Sequence, residues 1–128
     1  MQTKTAHPFT REKLDELFPL GRSDDFFDAL YGDASEGAYD IRLVFKEAEA
    51  GVLHFAFELR QRPGKCLACN LTYGLPQVFE RHPLINLKGL AGELGRLAGW
   101  DAQKLNVQLG RTEESSPELH LIPLRIQC

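Results

Sequence analysis

The segment 39-YDIRLVFKEAEAGVLHFAFELR-60 decides the fold, because hydrophobic residues occupy every second position on both sides of an acidic turn. A period of two is typical of a β-strand that buries one face and exposes the other. We therefore predict an antiparallel hairpin with its turn at "EAEAG". Its inner face carries Tyr39, Ile41, Leu43 and Phe45 from the first strand and Leu53, Phe55, Phe57 and Leu59 from the second.

Two short helices are predicted ahead of this hairpin. Thr10 is placed to cap a helix over 11–18, and Ser23 to cap a second helix that stops at Gly32. Hydroxyl side chains favour the N-cap position, and glycine favours the end of a helix. Residues 1–8 are mostly polar and are predicted to form a flexible tail.

The elements after the hairpin complete the pattern. A turn at residues 63–64 is followed by alternating residues over 66–73, which predict a third strand. A short helix is predicted to start at Pro76, and the main helix follows the cap residue Asn86. Two further strands end the chain.

The resulting prediction is a single α+β domain over 1–128 with the order α-α-β-β-β-α-β-β. It has one antiparallel sheet with helices packed mainly on one face. In the last strand the alternation changes parity at Pro123, between Leu121 and Leu124, which predicts a bulge or an edge strand. The same parity places His120 on the outward face of the sheet.

Two of the three cysteines, Cys66 and Cys69, have C-x-x-C spacing. In an extended strand, residues three apart lie about 10 Å from each other and point to opposite faces, whereas a disulfide needs Cα atoms within about 7 Å. The strand interpretation therefore leaves two separate thiols. Two alternatives stay open: a zinc knuckle completed by His82 and Cys128, and a redox pair, which normally lies at a helix N-terminus.

Charge and hydropathy exclude several classes of partner. The net charge is −3, and the first 50 residues carry eleven acidic and six basic side chains. Phosphate backbones require the opposite charge, so DNA is not an expected partner. The chain has no apolar run long enough for a bilayer and no secretory leader, and its odd cysteine count suits reduced thiols. We expect a cytoplasmic protein without membrane contact.

The basic residues Arg60, Arg62, Lys65 and Arg81 surround the turn at 63–64 and are the feature that best suits RNA. Few aromatic side chains are interleaved with them for stacking on bases, which makes RNA an unlikely partner. The sequence shows no nucleophile elbow, no zinc-protease motif and no phosphate-binding glycine loop. It therefore favours a protein without enzymatic activity.

Two surfaces are candidates for binding a protein. The outward faces of the predicted strands mix small apolar residues with polar ones, which suits a docking surface. The main helix has three interior glycines, each costing about 1 kcal/mol relative to alanine, and they permit the close approach of another backbone from the same chain or from a second copy. The candidate binding residues are Val44, His54, Ala56, Arg60, Cys66, Ala68, Gly92 and Gly95.

The segment 57-FELRQRPGKCLACNLTYGLPQVFERHPLINLKGL-90 resembles a small bacterial family whose members carry the automatic label "pancreas/duodenum homeobox protein". A homeodomain needs three helices, of which the last is basic. Here much of the matching segment is predicted to be strand, and the long helix has Lys88 and Arg96 as its basic residues. The family has no assigned activity, so the resemblance implies no catalytic residue.

The element order is also similar to that of type III secretion chaperones, which are small, acidic, cytosolic homodimers. Those proteins usually end in a helix, whereas this chain is predicted to end in a strand at Cys128. The sequence thus predicts a non-enzymatic protein-binding or chaperone-like module that binds a protein partner or itself, as a homodimer. The alternative is a metal-binding or thiol-redox protein that acts through Cys66 and Cys69, with zinc as the metal.

Overall fold

The computed structural model describes residues 9–19, 21–32, 37–67 and 74–128. The helices are α1 (Arg11–Leu17), α2 (Gly21–Tyr31), α3 (Leu75–Arg81) and α4 (Leu87–Leu97), and a 3-10 turn, η1, spans Ala102–Lys104. The strands are β1 (Tyr39–Glu49), β2 (Val52–Gln61), β3 (Asn106–Leu109), β4 (Glu113–Ser116) and β5 (Leu119–Gln127). In this part of the chain, no helix is both long enough and apolar enough to cross a membrane.

The five described strands form one antiparallel sheet in the order β1-β2-β5-β3. β4 pairs with β5 on the same side as β3, so β3 and β4 lie end to end along β5. The predicted α+β class and the β1–β2 hairpin are confirmed. The third strand predicted over 66–73 is absent at Cys66 and Leu67, and residues 68–73 lie outside the described residues.

One hydrophobic core lies between the sheet and the helices, and every one of α1 to α4 contributes buried side chains to it. The ring of Phe57 on β2 lies 5.4 Å from that of Phe18 and 5.3 Å from that of Phe79, edge to face in both cases. Phe26 of α2 lies 5.6 Å from Phe79 of α3. Such pairs add about 0.5–1.5 kcal/mol to the burial of their area. They fix the helices on one face of the sheet, called here the inner face.

Ser23 lies inside α2 and does not cap it, contrary to the prediction, because the helix already begins at Gly21. Its side chain is fully buried. The hydroxyl accepts a hydrogen bond from the Ile41 N–H at 2.8 Å and donates to the Ile41 carbonyl oxygen at 3.4 Å. Ser23 therefore bonds α2 to the backbone of β1. Thr10 caps α1 as predicted, by accepting from the Lys13 N–H at 3.1 Å.

The α4 helix follows Asn86, as predicted, but Asn86 has a left-handed backbone and makes no side-chain bond to the first turn. The helix ends at Leu97. Gly99 has φ +82°, its N–H bonds to the Arg96 carbonyl at 3.0 Å, and the Trp100 N–H bonds to the Gly95 carbonyl at 2.9 Å. This is a Schellman motif, in which glycine accepts the positive φ.

Pro123 lies in β5, which has neighbouring strands on both sides. The predicted bulge or edge strand at this residue is therefore wrong. β5 pairs with β2 from Leu119 to Gln127 without a change of register. The irregularity is in the neighbouring row, where β3 and β4 are separated by a gap that faces Pro123. Gly110 in that gap donates its N–H to the Pro123 carbonyl at 2.8 Å. The N–H group that proline lacks would have pointed toward the exposed Gly110. The missing N–H therefore disturbs the hydrogen-bond ladder of β5 little.

Candidate functional site

The face of the sheet opposite the helices, called here the outer face, has an apolar centre. Ala56 of β2 pairs with Val44 on β1 and with Pro123 on β5. Ala56 is 2% exposed, and Val44, Leu121 and Pro123 are half-buried. All the described helices pack on the inner face, so this apolar centre has no covering layer in the part of the chain that is described.

A shallow concavity of about 270 Å³ lies at this centre, over Ala56, Leu121 and Pro123. Charged and titratable side chains of both signs surround it: Lys46, Glu47, His54 and Glu113. The Nε2 atom of His54 lies 3.5 Å from Oε2 of Glu49 at the turn of the hairpin. The outer face thus combines a small apolar floor with a charged rim.

The predicted binding residues divide between this face and other parts of the molecule. Val44, His54, Ala56 and Arg60 lie on the outer face. Arg60 is exposed and its Nε lies 3.1 Å from Oε1 of Glu58 on the same strand. Cys66 is exposed beyond the end of β2, and Ala68 lies outside the described residues.

The two predicted glycines lie elsewhere and are already covered. Gly92 and Gly95 are buried. A Cβ atom on Gly95 would lie 2.6 Å from Cδ1 of Leu105, and one on Gly92 would lie 3.6 Å from Cβ of Ala102. The same chain therefore fills this side of α4, which was one of the two predicted alternatives. These glycines are not part of an open binding surface.

The prediction missed the contribution of β5 to the outer face. His120, Ile122, Leu124 and Ile126 are buried on the inner face, so the outward placement of His120 is wrong. Leu119, Leu121, Pro123 and Arg125 consequently belong to the outer face. If His120 is counted as an inward residue, β5 alternates without a break from Leu119 to Gln127. This alternation is the signal in the sequence that could have placed Leu121 and Pro123 on the outer face.

Arg62, one of the four basic residues around the turn at 63–64, forms ion pairs with two acidic residues of the N-terminal part of the chain. Its side chain is 17% exposed, with Nη2 2.7 Å from Oδ1 of Asp24 and Nε 3.0 Å from Oδ1 of Asp40. Its guanidinium also lies 5.4 Å from the centre of the Phe27 ring. Because Arg60 is paired with Glu58 as well, two of the four basic residues that suited RNA are engaged in ion pairs.

Cys66 lies outside any strand and takes part in a disulfide. Cys128 is a free, exposed thiol. Cys69, the other cysteine of the C-x-x-C spacing, lies outside the described residues. The prediction that Cys66 is a separate thiol on a strand is therefore wrong. Zinc binds thiolates, so an oxidised Cys66 is not a zinc ligand.

His82, one of the two residues predicted to complete a zinc site, has a structural role in the turn between α3 and α4. Its Nδ1 accepts a hydrogen bond from the Leu84 N–H at 3.2 Å, and its ring lies 4.9 Å from that of Phe26. Among the described residues, no three His, Cys, Asp or Glu side chains are grouped as metal ligands.

A second depression of about 610 Å³ lies between α4 on one side and η1 with β3 on the other. Its apolar lining is formed by Leu87, Ala91, Ala102, Leu105 and Val107. Its polar lining is formed by Glu80, Lys88, Gln103 and Asn106. This groove opens beside β3, which lies at an edge of the sheet.

Comparison of the chain with models of protein families, with curated proteins and with solved structures finds no match. Its function is therefore inferred from the geometry of its own residues.

Proposed function

We propose that this protein is a cytoplasmic, non-enzymatic protein-binding module with a chaperone-like role, and that it works as a homodimer. One observation supports this function above the others: the helices that the structure describes pack on the inner face, while the outer face is apolar at its centre. An uncovered apolar sheet face with a polar rim is typical of a surface that binds another protein.

The occupant that suits the outer face is an apolar segment of a partner protein with charged residues on its flanks. Ala56 has a small side chain at the floor of the concavity, which lets an apolar side chain approach the sheet. Lys46 and Glu113 on the rim carry opposite charges. Charged rims contribute mainly to specificity and to the rate of encounter, while the apolar centre supplies most of the affinity.

The test begins with capture of the partner from the native cell and its purification. Binding of the purified partner is then measured by calorimetry with Leu121→Arg, which places a charge on the apolar centre. Loss of a central apolar contact is expected to weaken binding at least about tenfold. Ala29→Arg adds the same charge at an exposed position of α2 and is expected to leave the affinity unchanged. Equal affinity of Leu121→Arg and wild type for the partner would show that the outer face is not the binding surface.

A second candidate is a thiol–disulfide function at Cys66. The observation in its favour is that Cys66 is both exposed and disulfide-bonded. Disulfides in cytosolic proteins are usually transient and are used in catalysis or redox sensing. No helix begins at Cys66, whereas redox pairs of this spacing normally lie at a helix N-terminus.

Thiol counting separates the two candidates. A redox function requires that a cellular reductant such as thioredoxin opens the disulfide, which raises the count of reactive thiols above that of the oxidised protein. Cys66→Ser is then expected to abolish turnover of a disulfide substrate, with Cys128→Ser as the matched control. A metal function would show as zinc bound to the reduced protein and lost in Cys66→Ser. Resistance of the disulfide to thioredoxin would argue against the redox function and against the metal function.

A further inference from the structure

The two edges of the sheet differ in how their backbone groups are satisfied. On β1, the Ile41 N–H and carbonyl are bonded by the Ser23 hydroxyl, and the Leu43 carbonyl accepts from Arg11. Farther along, the pairing of β1 with β2 shifts register between Phe45 and Glu47. Side-chain bonds, a bulge and charges are the usual devices that prevent an edge strand from pairing with another chain.

In the part of the chain that the structure describes, none of these devices is found at the edge formed by β3. Gly110, which continues β3, donates its N–H to Pro123, so its backbone groups face β5. Since the direction of these groups alternates along an antiparallel strand, those of Val107 and Leu109 point away from β5. No hydrogen bond from another described residue reaches the Val107 or Leu109 backbone on that side.

The side chains of this edge also lack charge. The segment 105–110 contains no charged residue. Asn106 and Gln108 are exposed, while Val107 and Leu109 are half-buried and pack against the core. The groove of about 610 Å³ beside α4 adjoins the same strand, with Leu105 and Val107 in its lining. An uncharged edge beside an apolar groove is open to pairing with another strand.

We propose that β3 pairs with β3 of a second copy of this chain, antiparallel, about a two-fold axis at Gln108. In this register Val107 faces Leu109 of the second copy, and Leu109 faces its Val107. Those are the residues whose N–H and carbonyl groups point outward, so both groups of both residues gain partners. The sheets of two molecules would join into one, which is a self-complementary contact of the kind that a two-fold dimer requires.

A second copy fits this edge better than an unrelated peptide, because the strand is complementary to itself. The two-fold axis places Val107 opposite Leu109 of the second copy, so each apolar residue faces an apolar residue. Gln108 lies on the axis, is neutral, and faces its own copy without electrostatic repulsion. The inference rests on the proposed homodimer for its stoichiometry alone. It adds the surface through which the dimer forms.

The test uses like and opposite charges at the axis, measured by sedimentation over a concentration series. Gln108→Lys and Gln108→Glu each place two like charges opposite one another, which is expected to weaken the dimer about fivefold. An equimolar mixture of the two variants is expected to regain or exceed the wild-type affinity, as a heterodimer. Gln77→Lys on the exposed side of α3 is the matched control and is expected to dimerise like wild type.

A second variant probes the backbone. Val107→Pro removes an N–H that points away from β5, so the ladder with β5 keeps its bonds while the contact with the second copy is lost; circular dichroism verifies the fold. A wild type that stays monomeric throughout the series would overturn this inference together with the proposed homodimer. A wild-type dimer that none of the variants weakens would overturn the β3 surface and leave the homodimer standing.

Discussion

Single residues that act through long-range contacts could not be assigned from the sequence. Thr10 was predicted correctly because its partner, the Lys13 N–H, is three residues away. Ser23 was assigned to a cap, whereas its partner is Ile41 on a strand. Ser23 lies two residues after Gly21 and directly before two acids, which is the local pattern of a cap. The competing bond to Ile41 depends on how α2 packs against β1.

The Ser23 hydroxyl gives the first prediction. Ser23→Ala removes the partner of both Ile41 backbone groups in a buried position, and leaving such groups unsatisfied costs about 1–3 kcal/mol. The free energy of unfolding in urea is expected to fall by that amount. Ser115→Ala, at an exposed position on β4, is expected to change it by less than about 0.5 kcal/mol. Equal effects of the two substitutions would show that the hydroxyl does not bond the edge strand.

Asp15 gives a prediction about pH. A hydrogen bond from Arg11 foremost, and another from Arg42, hold the pKa of the Asp15 carboxyl below its ordinary value of 3.8, although burial opposes the shift. A carboxyl whose pKa is lowered by folding stabilises the protein above the unfolded pKa and loses this effect as the pH falls through the folded pKa. Both partners are partly exposed, so the contribution is small.

Asp15→Asn is therefore expected to lower the free energy of unfolding by about 0.5–1 kcal/mol at pH 7. The difference from wild type should shrink once the pH drops below 3.8. Denaturation curves between neutral and strongly acidic pH measure it. A difference that stays constant down to the acid end would mean that the carboxylate charge is not the source of the stability.

At the scale of elements, the β1–β2 hairpin could be predicted because large hydrophobic residues occupy every second position of two long runs. The outward placement of His120 breaks the alternation of β5, whereas His120 is 2% exposed and lies on the inner face. β4 could not be predicted at all, since its residues are polar and show no alternation. It forms because β5 offers a free edge there, and pairing of this kind depends on the neighbour more than on the strand's own sequence.

The glycines of α4 give a prediction at this scale. A Cβ on Gly92 would make ordinary contacts, at 3.6 Å from Ala102, so Gly92→Ala is expected to stabilise the protein by up to about 1 kcal/mol through helix propensity. A Cβ on Gly95 would lie 2.6 Å from Leu105, which has to move and loses its packing on the core. Gly95→Ala is therefore expected to be less stable than Gly92→Ala.

Thermal unfolding of the two variants beside wild type measures this order. The substitutions are chemically identical and lie on the same helix, so propensity cancels between them. The reverse order would show that Leu105 does not depend on the close approach that Gly95 permits.

At the scale of the whole molecule, composition and periodicity were sufficient for the α+β class and for one antiparallel sheet. The alternation of β1 and β2 was sufficient to place Val44, His54, Ala56 and Arg60 on the outer face, and their role in binding stays a prediction. The β5 residues of this face, Leu121 and Pro123, depend on the position of β5 in the sheet. Whether an edge is blocked depends on contacts such as that of Ser23 with Ile41, which sequence periodicity does not contain.

The most direct test of the outer face as a docking surface is hydroxyl-radical footprinting of the protein alone and in complex with its purified partner. Leu121 and Pro123 are expected to become protected in the complex, because they form the floor of the concavity. Pro83 and Leu84, in the turn between α3 and α4, are expected to react equally in both states. Unchanged reactivity of Leu121 and Pro123, with protection at Pro83 and Leu84, would contradict the account.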